Sequence, residues 1–369
     1  MPKSKFGPLK ISLFFIYVIS NILFIYKYSA RSSFNPFIAS IIYLIFATLL
    51  FIVLWRKNEF NITPLVQNWL YFGFIIIGAI GLIILMRHFD PNQIHIGRYP
   101  ALHDWISRLL AGQFPYESTM RTSGLPFLFV LAMPFYILGD LGYFQIFSFV
   151  IFALILFWRF RNSWGSLRCL ILLLTSPIFI FEIATRSELI SNMIIVIAYL
   201  FILEKSYDKK NQPAFILLAI CGGLLLSTRA IVALILAAFI FHLFKNDIKR
   251  GIVFTVLLIA GYVATLLPFI IWDYSQFMQF SPFAIQASYV PTWLIIIAFA
   301  VSIISGILAK RSKAVYVSIA IILFSVVSIA FLMTVIRIGW NDAIVGSGFD
   351  ISYFGFALPF LMVYLGLDQ

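Results

Sequence analysis

The sequence predicts an all-α polytopic membrane protein of about 12 transmembrane helices, with interfacial helices in its first large outer loop. Three observations lead there. Hydrophobic residues make up 62% of the 369-residue chain against 11% charged, and mean hydropathy is +1.03, beyond the range of a soluble globular domain. Apolar runs of spanning or near-spanning length recur from end to end. Lysines and arginines cluster in the short loops between those runs, as the positive-inside rule requires. That placement also explains the net charge of +12 without nucleic acid, which is not expected as a partner.

Taken in order, apolar runs at 11–27, 35–55 and 67–86 make three spans in residues 1–86. The basic leader MPKSKFGPLK has no small-residue cleavage signature, so the first run is expected to stay as an uncleaved span. Residues 87–141 form an extracytoplasmic loop with juxtamembrane helices, and 142–369 carry nine further spans in a single integral membrane domain. Their runs lie near 142–159, 168–183, 188–203, 213–227, 231–244, 251–271, 291–309, 315–337 and 351–366. The apolar stretch 124–139 decides the topology. If it crosses the membrane, RFRNSWGSLR, EKSYDKKNQ, KNDIKR and AKRSK fall outside; if it only dips into the interface, all four fall inside. Charge bias selects the second arrangement, with both chain ends cytoplasmic. Lys27, Arg31, Arg87, Arg98, Arg108, Arg121, Arg186, Arg229 and Arg337 then remain outside.

The stretch 87–123 is the longest polar interruption, with His88, His95, His103, Asp90, Asp104 and Glu117. Within it, Leu102, Trp105, Ile106, Leu109 and Leu110 follow one face of a helix over 100–111. Pro100 suits the first turn, and Gly112 suits the left-handed residue past the end. At about 12 residues this helix is too short to span; it is expected in the interface, apolar face in lipid. Asp104 is either a functional acid on the polar face or the i, i+4 ion partner of Arg108.

Ionisable residues also stand at the outer ends of later runs: Glu182, Arg186, Glu188, Arg229, Asp273, Arg337, Asp342 and Asp350. Charges near hydrocarbon are usually paired or functional. Arg186 and Arg229 either snorkel to headgroups or bind a phosphate in bidentate fashion. The loop histidines, seven and eight residues apart, match no metal signature, so a divalent metal is not supported and no cofactor is expected. Cys169 and Cys221 fall in separate apolar runs and suggest no disulfide. The sequon Asn61-Ile62-Thr63 falls on the cytoplasmic side, and no Gly-rich phosphate loop of the strand-to-helix kind occurs.

The run HDWISRLLAGQFPY after an outer acidic residue, followed by LLLTSPIFIFEIATRSE, resembles the GT-C type of glycosyltransferase over roughly 85–275. These polytopic enzymes use polyprenyl-phosphate sugars; protein O-mannosyltransferases, lipid A aminoarabinose transferases and GPI mannosyltransferases belong to them. Asp104, Gly112, Pro115 and Tyr116 match the family's acid–Gly–Pro-Tyr run, and Arg186 and Arg229 match its span-end basic residues. The family's acidic pair is replaced here by Ile96 and Arg98, leaving Asp90 as the nearest acid.

What the resemblance implies is an inverting transfer from a lipid-linked sugar donor to a glycan, lipid or protein acceptor of the cell envelope, outside a bacterial plasma membrane. Asp90 would be the base and Asp104 would position the acceptor. Asp90 stands just past a span end, partly out of water, which suits a base, whereas Asp104 has Arg108 one turn on. Arg186 and Arg229 would hold the departing phosphate, with His103, Arg108, Tyr116 and Glu188 as further substrate contacts. Two other classes compete: a transporter or lipid flippase, and an O-antigen-type glycan polymerase or ligase.

Overall fold

The computed structural model describes residues 7–56, 63–94, 98–117, 123–160, 163–206, 211–280, 282–287 and 290–366. Lys3, Lys5, Lys57, Glu59, Asn61, Ile62, His95, Ile96, Arg121, Arg161, Asp208, Lys209, Lys210 and Asp368 lie outside the described residues. Every regular element among the described residues is helical. In chain order they are α1 (Pro8–Ala30), α2 (Pro36–Arg56), α3 (Pro64–His88), α4 (Pro91–Ile94), α5 (Tyr99–Leu110), α6 (Pro126–Ile137) and α7 (Tyr143–Phe160). Next come α8 (Ser163–Leu174), α9 (Pro177–Thr185), α10 (Leu189–Ser206), α11 (Gln212–Leu226), α12 (Val232–Phe244) and α13 (Ile248–Trp272). The chain closes with α14 (Tyr274–Gln279), α15 (Pro282–Ala287), α16 (Thr292–Leu308), α17 (Ser312–Ile338), α18 (Trp340–Ile344) and α19 (Leu358–Gly366), the last preceded by a 3-10 segment, Ile351–Ala357.

Seven of these helices (α1, α2, α3, α7, α10, α13 and α17) are long and apolar enough to cross a membrane. The α8–α9 pair, bent by 64°, makes an eighth if taken as one span. The remaining expected runs fold as shorter apolar helices, α11, α12, α16 and the 351–366 segment. The outer helices α2 and α3 turn Ile41, Ile42, Ile76, Ile77 and Ile84 outward. Apolar surface of that extent on helices of this length is membrane-facing surface. At the centre stands α10, buried over 72% of its spanning window.

Proline explains the α8–α9 bend. Pro177 has no N–H to give and its ring blocks continuation, so the helix stops and restarts. Polar groups at the break are satisfied by α1: the Tyr17 hydroxyl donates to the Leu172 carbonyl at 2.9 Å, and Asn21 Oδ1 accepts from the Ile178 N–H at 3.4 Å and the Ser176 hydroxyl at 2.7 Å. Glycine explains the closest crossing. A Cβ on Gly223 of α11 would collide with the Leu258 carbonyl oxygen of α13, so only hydrogen allows these backbones to meet.

The two ends of the bundle differ. One carries Arg159 paired with Glu204 at 2.8 Å, Lys205 over the Trp158 ring and Lys245 on the Ala309 carbonyl. The opposite end gathers Arg31, Arg98, Ser123, Asp140, Arg186 and Arg229 with their partners. Both flanks of α6 belong to that second end. Ser123 accepts from Arg229 at 2.7 Å and Asp140 pairs with Arg186 at 3.1 Å, while Arg229 also pairs with Glu188, two residues from Arg186. Thus α6 leaves one end of the bundle and returns to it. Its first N–H groups are taken by carbonyls just past α11, Leu125 N to Thr228 O and Phe127 N to Ser227 O.

The α5 helix forms where its spacing predicts, with Pro100 in its first turn and Gly112 at φ +70° beyond its end. Gln113 N–H reaches the Arg108 carbonyl and Gly112 N–H the Leu109 carbonyl, the paired bonds of a Schellman stop. Most of its apolar face is covered by protein and not by lipid, contrary to expectation, with Leu110 left exposed. Leu102, Trp105 and Ile106 are 3%, 0% and 0% exposed, packed with α6, α13 and α14 in a second core. Trp105 stacks on Phe129 at 4.0 Å between ring centres, and protein surface outcompetes lipid because aromatic faces match there.

A candidate site at the polar end of the bundle

The site begins with the junction between α9 and α10. Arg186 closes α9 in the left-handed conformation, φ 51°, where glycine would be the unstrained choice. Four hydrogen bonds hold it there: Nε and Nη2 to Asp140, and Nη1 to the carbonyls of Phe89 and Ala184. With its guanidinium so engaged at 3% exposure, Arg186 ties the end of α3 and the start of α7 to this junction. The bidentate phosphate role expected of it has no free donor face to act through, so its place in the architecture is that of an anchor.

Glu188 follows, 1% exposed and ion-paired with Arg229. Arg229 also donates to Ser123, while Glu188 Oε2 and Arg229 Nε have no hydrogen-bond partner among the described residues. Around them lie the buried polar side chains Gln145, Ser187, Ser191, Asn192 and Thr228. Gln145 donates to the Ser187 carbonyl and Asn192 to Thr228, both at 2.9 Å. Glu182 accepts the Ile190 N–H at 2.9 Å, satisfying one orphan donor at the start of α10.

Arg98 brings the far end of the chain into the same place. It ion-pairs with Asp350 and donates to Ser187 Oγ at 3.2 Å and Ser352 Oγ at 3.1 Å, with its guanidinium 5.2 Å from the Tyr353 ring centre. Burial works against its charge, but Asp350, then Tyr353, Glu188 and Glu182, outweigh it and raise its pKa above the ordinary value. Burial likewise pushes the Asp350 carboxyl up, while Arg98 and both donors of Ser352 hold it below its usual range. On the same side Arg31 binds the Val345 carbonyl and Ser347, and Lys27 is buried at 4% exposure within electrostatic reach of Asp350.

A cavity of about 310 Å³ opens beside this network. Its wall is apolar, from Ile231, Leu234, Ala298, Val326 and Phe349 among others, and includes Tyr353. Among the described residues Arg229 is the single charged one in its lining.

The other expected site residues lie apart. None of Asp90, His103, Asp104, Arg108 or Tyr116 lines the cavity. Asp104 and Arg108 form the i, i+4 pair at 3.3 Å. His103 is exposed between the rings of Tyr99 and Tyr136. Tyr116, 1% exposed, is filler of the second core against Trp105, Phe269 and Phe277, and a buried ring there has no face for substrate. Asp90 is exposed at the start of α4, so the partial burial that favoured it as a base is not found. Asp273 caps α14 through the Gln276 N–H, a local structural role, and Asp342 and Arg337 are exposed. Among the described residues no group of three potential ligands could hold a metal.

Missed by sequence reasoning were the Arg98–Asp350 pair, Gln145 and Asn192. Only one signal pointed to them, a basic residue standing where an acid is expected.

Comparison with protein-family models, with curated proteins and with solved structures finds no match to this chain.

Proposed function

We propose that the chain is a membrane glycosyltransferase that moves a sugar from a polyprenyl-phosphate donor to an extracytoplasmic glycan, lipid or protein acceptor, with inversion. The observation that carries this reading is the apolar cavity with Arg229 as the one charged residue among the described residues that line it. Such a lining suits a lipid chain whose single anionic group seeks a guanidinium. In this reading the bundle crosses a bacterial plasma membrane about 12 times. The end with Arg159 and Lys245 faces the cytoplasm, and the end with Arg229 faces outward. The acceptor hydroxyl attacks the anomeric carbon while the phosphate departs with the bonding pair. Arg229 stabilises that growing charge as Glu188 shares it, and a carboxylate at the same end accepts the proton.

A transporter is the second reading, favoured by the broken α8–α9 pair, since broken helices often frame transport sites. Against it, the polar groups at this break are taken up by Tyr17 and Asn21. Binding of undecaprenyl phosphate to the purified protein tests the proposal. Arg229→Met combined with Glu188→Gln removes the cation without stranding a buried carboxylate, and should weaken that binding by about tenfold or more, about 1.4 kcal/mol. Affinity equal to the wild type would remove the lipid phosphate from this cavity.

A further inference from the structure

The carboxylates at the polar end differ in what they can still do. Glu182 and Glu188 are sealed at 0% and 1% exposure, and Glu188 is neutralised by Arg229. Asp140 is bound by Arg186 and by the Gly142 N–H. Asp350 stands differently. Its side chain keeps 39% exposure, and it stands beside the cavity, outside the lining itself but next to the lining residues Phe349, Tyr353 and Phe356 of its own segment.

The Asp350 oxygens are unequally used. Oδ1 accepts from the Ser352 N–H at 3.1 Å and the Ser352 hydroxyl at 2.5 Å, which fills its two acceptor positions. Among the described residues Oδ2 takes Arg98 alone, which leaves it a lone pair. The carboxylate is therefore fixed in orientation from two sides, ionised, and open on one; Arg98 lowers its basicity, so the position of the oxygen and not its pKa is what selects it. Arg98 also binds Ser187, whose successor Glu188 holds Arg229. A short covalent and hydrogen-bonded path thus joins Asp350 to the cation of the cavity.

We propose that Asp350 is the residue that binds the attacking hydroxyl of the acceptor and receives its proton, with Arg98 as its positioning residue. The assignment rests on the glycosyl-transfer reading above. As the acceptor oxygen bonds to the anomeric carbon, the bond from that carbon to the phosphate oxygen breaks. The electron pair leaves on the phosphate beside Arg229, and the proton passes to Asp350 Oδ2. The acid absent from the 96–98 position is in this way supplied from the opposite end of the chain, and the arginine there holds it.

Two measurements on the full-length protein in proteoliposomes test this. Asp350→Cys, in a chain carrying Cys221→Ala, is exposed to a cationic methanethiosulfonate with and without farnesyl phosphate. Labelling slowed in proportion to lipid-phosphate occupancy is expected; labelling indifferent to saturating farnesyl phosphate overturns the placement of Asp350 at this cavity. Sugar release from a panel of undecaprenyl-phosphate hexoses and pentoses is then followed in vesicles containing envelope glycans. Asp350→Asn should lower kcat by about 10²–10⁴-fold with undecaprenyl phosphate affinity unchanged. Asp350→Glu keeps the charge and a reach to Arg98 but displaces the oxygen, so it should fold and still lose rate, which covers a misfolded asparagine variant. Transfer by Asp350→Asn at the wild-type rate overturns this assignment alone. Absence of transfer by the wild type from every donor overturns the glycosyltransferase reading and this assignment together.

Discussion

Arg229 shows how a single residue changes meaning once its partner is known. From sequence it is either a snorkelling cation or a phosphate ligand; in the fold it is 3% exposed and shares its charge with a 1% exposed Glu188. Replacing it alone strands a buried carboxylate, which costs about 3–5 kcal/mol. Arg229→Ala should therefore express poorly or melt well below the wild type, whereas Arg229→Met with Glu188→Gln should recover most of the loss. Thermal unfolding in detergent checks this, and equal melting of the single and double variants would mean that the pair is not coupled. Asp90 and Asp104 belong to the same scale. Neither acid nor its chain neighbours stand in the cavity lining, whereas Asp350 directly follows a lining residue, so Asp90→Asn and Asp104→Asn should each keep activity within about tenfold of wild type, far above the loss set for a base. A collapse in either variant would return the base to the outer loop.

Helices were legible where their own residues decided them. Leu102, Trp105 and Ile106 fix which face of α5 is apolar, and Gly112 fixes where it stops. What covers that face was not legible, because periodicity reports a buried side and not its neighbour; α6 and α13 take the place expected of lipid. For α6 the reverse held. Its own composition could not say whether it crosses, but the charges of four distant loops could, and the bonds of Ser123 and Asp140 place its two flanks at one end. Single cysteines at Ser123 and Asp140 should both react with an impermeant thiol reagent from outside. Reaction of the Asp140 cysteine only after permeabilisation would reverse the sidedness. At the α11–α13 crossing, Gly223→Val must push its side chain into the Leu258 carbonyl. Overpacking of this sort costs about 1–3 kcal/mol. A clear drop in melting temperature is expected, and an unchanged value would mean that the helices separate freely.

Across the whole molecule, the organising contacts are long-range and ionic, which is why the sequence could name their members without pairing them. Arg98 and Asp350 are 252 positions apart, and no local pattern links them. Arg186 finds Asp140 only because α6 returns to the end from which it leaves. The Arg98–Asp350 pair has a pH signature. The folded state holds the Asp350 carboxyl below its ordinary 3.8, so its contribution is present above that value and lost as pH falls through the folded-state pKa. The stability gap between wild type and Asp350→Asn should stay level through neutral pH and narrow only below about pH 4. A gap that narrows between pH 8 and 6 would assign the effect to another group.

The three tethers described for the stretch between α3 and α7, Phe89 and Asp140 to Arg186 and Arg98 to Asp350, have a consequence for how the protein breathes. With these three contacts in place, the described helix α5 is expected to open together with the junction that they converge on. It exposes its amides only when the α9–α10 junction itself gives way. Backbone hydrogens of α5 should therefore exchange with solvent as slowly as those at the start of α10, and Arg186→Ala should speed both together. Equal exchange would make α5 and the central helix one cooperative unit, joined by contacts as distant in sequence as Phe89 and Arg186, 97 positions apart.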